Sequence, residues 1–300
     1  LDEMMAENEN IVVIDADLAK PNGTFPLRKK YPERAIDVGI AEQNMASVAA
    51  GMSSYGFIPF ITSFTPFASR RICDQIAISI AYAKQNVKII GSDPGISAEF
   101  NGGTHMSMED IGVLRSIPEL VIYEPVDVAQ FKQALPQIVA YEGPVYIRMF
   151  RKTIDDVFTD ANYKFDLFGA DCIQEGTAVT IFCSGIMVQE TMKANEILKQ
   201  EGIDAEIINI HTIKPIDRDA VVASAKKTGA VVVAENHNVI GGLTSAVCEV
   251  LMEEYPVPLR AVGVKDRFGQ VGKMPFLKEE YHMTAKDIVS AVKEVIRLNK

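Results

Sequence analysis

Short apolar runs alternate with amphipathic segments along the whole chain. The run 11–14, IVVI, is β-branched and bounded by polar residues, which is typical of a strand buried in a parallel sheet. The segment 68–84 places Ile72, Ile76 and Ile80 at a spacing of four, which predicts a long amphipathic helix. The pattern therefore predicts strands and helices in alternation.

The same reading gives a complete set of elements for two domains. Further strands are predicted at 57–61, 87–90, 120–123, 145–149, 179–183, 205–210, 231–235 and 259–264. Further helices are predicted at 41–51, 108–115, 128–141, 187–201, 217–228, 242–255 and from Thr284 onward, where Asp287 completes a capping box. Alternating strands and helices predict an α/β fold of two three-layer α/β/α domains with mainly parallel sheets.

The division into domains follows from a loss of periodicity near the middle of the chain. Residues 153–175 are rich in aspartate and show neither a helical nor a strand repeat, which predicts a linker. We therefore expect a first domain at 1–152 and a second at 176–300.

Composition narrows the classes of function. Thirty basic and forty acidic residues among 300 give a net charge of −10, which disfavours binding to nucleic acid or to an anionic membrane surface. No apolar run reaches the length of about 18 residues that a membrane span requires. The four cysteines stand far apart without CxxC spacing, which indicates reduced thiols, a cytoplasmic protein and no metal site on this chain.

Three segments carry candidate chemistry. Glu42, in DVGIAEQNM, follows a strand-like run at the start of a helix, where sheet enzymes place ligand groups or where an acid simply favours the helix terminus. Phe64 and Phe67, in SFTPF, form either a slot for a flat heterocycle or part of the core. His105, in the glycine-rich loop 91–106, is either a proton carrier or an ordinary surface histidine.

Taken together and in order, these motifs resemble the transketolase class of thiamine-diphosphate enzymes. The resemblance covers nearly all of residues 11–300, as the pyrimidine-binding and C-terminal domains of that class. It is carried by GIAEQNM, SFTPF followed by DQI, GGTH, CSGIMV, INIHTIKPID, AENH and DRFGQVG. Glu235 and His237, in AENH, are either a ligand pair or structural residues at the domain interface.

The resemblance implies which residues hold the cofactor thiamine diphosphate. Glu42 matches the catalytic glutamate that hydrogen-bonds N1′ of the aminopyrimidine and favours its imino tautomer. Phe64 and Phe67 match the aromatic residues that pack against the pyrimidine. Asp17, in DADLA, matches a carboxylate near the cofactor, and Ile40 belongs to the same cofactor-binding set.

The resemblance also implies a substrate site, from which this chain departs in two places. His105 matches the catalytic histidine that contacts the donor sugar, and Arg151 matches the arginine that binds the substrate phosphate. Asn101 stands where most transketolases have aspartate, and Asp93 stands where they have a phosphate-binding histidine. A carboxylate facing a phosphate would repel it, so the usual pentose-phosphate substrates become doubtful and another ketose or ketose phosphate is implied.

The chain lacks the GDG motif through which this class binds the diphosphate and its Mg²⁺ or Ca²⁺. The resemblance therefore implies the C-terminal half of a split transketolase, completed by a separate diphosphate-binding subunit in an α2β2 assembly. It would transfer a two-carbon ketol unit from a ketose or ketose phosphate to an aldose or aldose phosphate.

Three alternatives remain. One is the beta subunit of a 2-oxoacid dehydrogenase, which usually carries a His-His pair near His105. Another is deoxyxylulose-phosphate synthase, normally one long chain. The last is a non-catalytic α/β binding subunit.

Overall fold

The computed structural model describes residues 1–299, so Lys300, the last residue of the second predicted domain, lies outside the described residues. The first half contains strands β1 Ile11–Asp15, β2 Ala35–Asp37, β3 Ile58–Phe64, β4 Lys88–Ser92, β5 Val121–Tyr123 and β6 Val145–Met149. Its α-helices are α1 Asp2–Glu7, α2 Ala19–Asn22, α3 Phe25–Lys30, α4 Glu42–Ser54, α5 Asp110–Leu114 and α6 Val128–Ala140. It also has 3₁₀ turns at Arg70–Ile72 and Gly95–Asn101 and a π-helix at Gln75–Tyr82.

The second half repeats the alternation. Its strands are β7 Asp171–Gln174, β8 Val179–Cys183, β9 Ala205–Asn209, β10 Thr212–Lys214, β11 Val231–Asn238 and β12 Leu259–Val264. Its helices are α7 Met187–Gln200, α8 Arg218–Thr228, α9 Leu243–Glu254, α10 Met274–Glu280 and α11 Ala285–Leu298. The predicted capping box at the start of α11 is present, with Thr284 and Asp287 each bonding the other's backbone N–H.

The strands form two sheets. The first has seven strands in the order β10-β5-β6-β4-β3-β1-β2, and the second has five in the order β12-β11-β8-β9-β7. Every pairing is parallel except β10 with β5 and β7 with β9. Strands β1 and β8 are buried along their whole length, as expected for parallel strands covered by helices on both faces. The predicted α/β class with mainly parallel sheets is confirmed.

The segment 68–84 is not the single long helix that its spacing predicts. The backbone of Ser69 is non-helical, with φ −127° and ψ −92°, and the chain continues as a 3₁₀ turn and a π-helix. Ile72, Ile76 and Ile80 are nevertheless fully buried. Spacing along a helix determines which side chains face the core, but it does not select between α and π hydrogen bonding.

Two short antiparallel strands also differ from expectation. The residues predicted as a linker, 153–175, end in β7, which joins the edge of the second sheet. Strand β10 lies within the sequence of the second domain, but it pairs with β5 of the first sheet. The two halves therefore share a sheet. The Asp171 carboxylate accepts hydrogen bonds from Gln130 and Asn209 at 2.9 and 3.1 Å, and such non-local partners leave no periodic signal.

A buried ionic network joins the halves at Arg148, in β6. Its guanidinium donates to Asp110 at 2.8 and 3.2 Å and to Glu124 at 2.6 Å. It also donates to the backbone oxygen of Asn236, in β11, at 2.7 Å. Burial raises the pKa of Asp110, but the adjacent Arg148 more than offsets this and holds that pKa below its ordinary value.

Candidate active site

Glu42 is the first residue of α4, at the carboxyl edge of the first sheet. Its side chain is almost fully buried, and an acid in this position is favoured by the positive end of the helix dipole. Arg71 Nη1 donates to Glu42 Oε1 at 2.6 Å, so the buried carboxylate has a cationic partner within its own chain.

The predicted aromatic residues meet beside this helix. Phe64 ends β3, Phe67 lies in the turn that follows, and His105 comes from the glycine-rich loop. Ring centroids are 6.3 Å apart for Phe64 and Phe67, 5.7 Å for Phe64 and His105, and 5.2 Å for Phe67 and His105. The Arg71 guanidinium that bonds Glu42 also lies over the Phe67 ring, so we call the three rings and the Glu42 carboxylate together the aromatic slot.

Arg71 is a site residue that the sequence reasoning missed. Its guanidinium carbon lies 3.9 Å from the centroid of the Phe67 ring while the same group bonds Glu42. The sequence does show two adjacent arginines, Arg70 and Arg71, shortly after SFTPF. The helix predicted there does not indicate that either side chain points toward Glu42.

Asp93 and Arg151 form an ion pair. Arg151 Nε lies 2.8 Å from Asp93 Oδ2, Nη2 donates to the same oxygen, and Nη1 donates to the Pro21 carbonyl at 2.6 Å. The guanidinium carbon also lies 5.0 Å from the Phe64 ring centroid, which places the pair beside the aromatic slot. Asp93 therefore does not face the site as an unpaired carboxylate, because it is bound to the arginine that was expected to hold the phosphate.

Three other predicted residues are exposed. Ile40 is 78% exposed, and Asn101 ends the second 3₁₀ turn. Asp17 has a left-handed φ of 59°, and its backbone N–H donates to the Asp37 carboxylate. Within residues 1–299, their side chains make no hydrogen bond or ring contact with the aromatic slot.

The loop that carries His105 is held by the second domain. Asn236 Nδ2 donates to the Pro94 carbonyl at 2.9 Å, and its Oδ1 accepts from the Ile96 N–H at 3.0 Å. Gly95, between them, has φ +55°, and a Cβ there would lie 2.3 Å from the Asn236 side chain. The asparagine of AENH is thus a positioning residue for the site.

Glu235 and His237, the neighbours of Asn236, have structural partners. Glu235 accepts from the backbone N–H groups of Leu243 and Thr244 at 2.6 and 3.0 Å, at the start of α9. His237 Nδ1 lies 2.6 Å from the Asn238 carbonyl. Burial raises the pKa of Glu235 to about 7 and lowers the pKa of His237 to about 4.

The aromatic slot fits an aminopyrimidine. Arg71 places a flat, nitrogen-rich group over the Phe67 ring and hydrogen-bonds Glu42. An aminopyrimidine is also flat and nitrogen-rich, so it would make the same two contacts. For a metal, the described residues offer one cluster of potential ligands, Cys172, Glu175 and Glu206, at the edge of the second sheet. Lys227 already pairs with both glutamates of that cluster.

Comparison with known proteins agrees with this architecture. Residues 1–155 match the transketolase pyrimidine binding domain, and residues 169–288 match the transketolase C-terminal domain. The structure is similar to that of a split gene transketolase, described as an inactive beta4 tetramer, with a TM-score of 0.90 and 43% sequence identity over 99% of this chain and 95% of that one.

Curated relatives span similar lengths. The 6-deoxy-6-sulfo-D-fructose transketolase subunit SqwH of Clostridium sp. strain MSTE9 is 54% identical over 293 residues, which cover 98% of this chain and 91% of that protein. A putative transketolase C-terminal section of Methanocaldococcus jannaschii is 37% identical over 98% of this chain and 93% of its own length. One of the subunits of an apulose-4-phosphate transketolase, from Phocaeicola vulgatus, is 30% identical over 98% of this chain and 94% of its own length.

The fold and the matched domains are those of the transketolase class of thiamine-diphosphate enzymes. The chain belongs to the transketolase family, and it corresponds to the C-terminal half of a split transketolase. None of the helices described in residues 1–299 is long and apolar enough to cross a membrane.

Proposed function

We propose that this chain is the pyrimidine-binding subunit of a two-chain, cytoplasmic transketolase. It would transfer a two-carbon ketol unit from a ketose or ketose phosphate to an aldose or aldose phosphate. The observation that carries the proposal is the aromatic slot, in which Arg71 links the buried Glu42 carboxylate to the Phe67 ring and Phe67 lies against Phe64 and His105. A non-catalytic subunit would have no need to bury a carboxylate at this position.

Thiamine diphosphate, when bound, would supply the nucleophilic carbon and the electron sink for cleavage beside the ketose carbonyl. The task of Glu42 is to hold the proton at N1′ of the aminopyrimidine, and burial keeps water from competing for that contact. The faces of Phe64 and Phe67 would orient the ring by stacking.

His105 is suited to contact the substrate. Its Nδ1 lies 2.9 Å from Thr104 Oγ1, which fixes the orientation of the imidazole and directs Nε2 toward other partners. We propose that Nε2 exchanges hydrogen bonds with the donor sugar at its hydroxyl and carbonyl end, next to the reacting carbon. Asn101 would contact a substrate hydroxyl, while Asp17 and Ile40 would complete the cofactor site.

The remainder of the cofactor site is proposed to come from the partner. A separate diphosphate-binding subunit would hold the diphosphate through Mg²⁺ or Ca²⁺, and two copies of each chain would form an α2β2 heterotetramer. The description of the structural relative as an inactive beta4 tetramer supports a requirement for a second kind of subunit.

The donor substrate is proposed to be a ketose with an anionic end. The relative named for 6-deoxy-6-sulfo-D-fructose supports a sulfonated ketose, and the relative named for apulose 4-phosphate supports a ketose phosphate.

A ketol-transfer assay tests the proposal. The chain is co-expressed with its diphosphate-binding partner, and the purified assembly is given thiamine diphosphate, Mg²⁺, a ketose and an aldose acceptor. The expected result is a new ketose two carbons longer than the acceptor, formed by the mixture and by neither chain alone. Oxidative decarboxylation of a 2-oxoacid in place of ketol transfer would contradict it.

A further inference from the structure

The edge of the Arg151 guanidinium that best binds an oxyanion is already hydrogen-bonded to Asp93. The Nε–Nη2 edge donates twice to one oxygen of Asp93, and Nη1 donates to the Pro21 carbonyl. This edge is the fork that otherwise grips a phosphate or carboxylate with two parallel bonds. An incoming anion can use only the remaining hydrogens of Nη1 and Nη2.

The position of Asp93 is fixed by the fold. It follows β4, its N–H donates to the Met149 carbonyl at the end of β6, at 2.9 Å, and it is only 2% exposed. Its φ of 54° lies in the left-handed region, which aspartate, asparagine and histidine enter more readily than most residues. A carboxylate this buried is strongly disfavoured without its cation, and Arg151 is also held by the Pro21 carbonyl, so a substrate competes poorly for this arginine.

The neighbouring cation is neutralised in the same way. Lys152 pairs with Glu99, whose other oxygen accepts from the Met274 N–H at 2.9 Å. Arg151 and Lys152 are thus each matched by one carboxylate of the loop 93–101. The two pairs together have no net charge.

This neutrality bears on substrate charge. The cost of removing an anion from water grows with the square of its charge, whereas its attraction to a fixed site grows only linearly. An unpaired arginine could offset the cost for a dianionic phosphate. An arginine that already neutralises a buried carboxylate and donates both bonds of its fork to it offsets much less of this desolvation cost.

We propose that Asp93 is a specificity-determining residue of the ketol transfer proposed above, on which this inference rests. By occupying Arg151, it selects a ketose whose far end carries a single negative charge, such as a sulfonate, over one that ends in a dianionic phosphate.

The first test compares three donors with one carbon skeleton in the assembled enzyme. These are 6-deoxy-6-sulfofructose, fructose 6-phosphate and fructose. The wild-type kcat/KM is expected to be higher for the sulfonate than for the phosphate by about tenfold or more, and lowest for fructose. Between pH 7.5 and 5.5 the phosphate gains a proton with a pKa near 6 while the sulfonate does not. As the pH falls, the KM for fructose 6-phosphate should therefore decrease relative to the KM for 6-deoxy-6-sulfofructose.

The second test changes the carboxylate. Asp93→Asn keeps the shape and tolerates the left-handed φ, and it should raise the phosphate-to-sulfonate ratio of kcat/KM by about tenfold, mainly through KM. Glu99→Gln is the matched control, because it removes the same charge from the same loop without touching Arg151. It also frees Lys152, but it leaves the fork of Arg151 occupied by Asp93, so it should change the ratio by much less than Asp93→Asn does.

The outcomes separate this inference from the proposed function. Transfer from none of the three donors, by an assembly that also transfers from no other ketose in the assay above, would overturn the proposed function and this inference with it. Transfer with phosphate preferred at all pH values, or equal ratio changes in Asp93→Asn and Glu99→Gln, would overturn this inference alone. The donor and pH comparisons use wild-type enzyme, so they decide even where Asp93→Asn does not fold.

Discussion

Arg71 Nη1 lies 2.6 Å from Glu42 Oε1, so the carboxylate proposed to serve the cofactor is neutralised by its own chain. The same guanidinium covers the face of Phe67. Arg71 thus makes both contacts that the aminopyrimidine would make: a stacked face and a hydrogen bond to the buried carboxylate. We therefore expect binding of the cofactor to displace Arg71.

Arg71→Ala is therefore expected to tighten cofactor binding. The substitution leaves Glu42 without its arginine partner in the cofactor-free assembly. The Arg71–Glu42 ion pair, whose arginine side chain is 44% exposed, contributes up to about 1 kcal/mol, so the Kd for thiamine diphosphate should fall by about fivefold. Titration of the heteromeric assembly with thiamine diphosphate and Mg²⁺ by calorimetry measures this. Arg70→Ala, which instead removes a pair with Glu109, is the control. Weaker binding in Arg71→Ala alone would show that Arg71 contacts the cofactor directly.

Glu42→Gln should remove catalysis while retaining the fold. The amide keeps the shape but cannot hold the proton at N1′, and loss of a positioned acid–base group typically costs about 10²- to 10⁴-fold in rate. The measurement is ketol transfer at saturating cofactor. Glu109→Gln removes a carboxylate paired with the adjacent Arg70 and should change kcat by less than about threefold. Near-normal transfer by Glu42→Gln would refute the assigned role.

The isolated chain should bind thiamine diphosphate weakly, and Mg²⁺ should not improve the affinity. It contributes the aromatic slot, whereas we propose that the diphosphate and the metal are held by the partner. Calorimetry with and without Mg²⁺ measures the affinity, first for this chain and then for the mixture with its partner. Tight, metal-dependent binding to the chain alone would contradict the division of the site between two subunits.

Arg148→Met should strongly destabilise the chain. The substitution leaves Asp110 and Glu124 buried without their cation, which typically costs about 3–5 kcal/mol of unfolding free energy. Urea unfolding followed by circular dichroism measures the change. Arg218→Met, which removes exposed pairs with Glu253 and Glu254, should cost less than about 1 kcal/mol. Equal losses in the two variants would show that the buried network is not a major source of stability.

His237 should make the fold sensitive to mild acid. Burial lowers its pKa to about 4 from an ordinary 6.5, so between these values the unfolded chain binds a proton that the folded chain excludes. This contribution to stability is complete above pH 6.5 and is lost as the pH falls toward 4, by up to roughly 3 kcal/mol. His237→Asn should reduce the loss between pH 7 and pH 5.

The neighbouring Glu235 contributes with the opposite sign. Burial raises its pKa to about 7, so the folded chain retains a proton between pH 4.5 and 7 that the unfolded chain loses, and this contribution falls as the pH rises. The difference between wild-type and His237→Asn unfolding curves therefore reports the histidine together with its effect on Glu235, whose carboxylate lies 3.9 Å away. His282→Asn, at a side chain that is 78% exposed, is the control. Identical pH dependence in wild type and His237→Asn would refute the assignment.

Much of the architecture was determined by the sequence itself. Runs such as Ile11–Asp15 and Val179–Cys183 are apolar throughout because both faces of a parallel strand are covered, and this composition is local. The capping box of Thr284 and Asp287 was predictable because its partners are three residues apart. The placement of Glu42 and Phe64 at the same edge of the sheet was also foreseeable, since each stands at the end of a strand-like run.

The tertiary structure alone decided which polar groups pair. Arg151 and Asp93 are 58 positions apart, and Asn236 bonds Pro94 across 142 positions. No periodicity records such contacts. The sequence showed that Asp93 was an unusual neighbour for a phosphate and that Arg151 was an expected one, but not that the two side chains neutralise each other. Chain order likewise gave no sign that β10 would join the first sheet, because a three-residue strand has too few side chains to specify its partner. Hydrophobic patterns record which face is buried, whereas ion pairs and short edge strands depend on which groups the completed fold brings within reach.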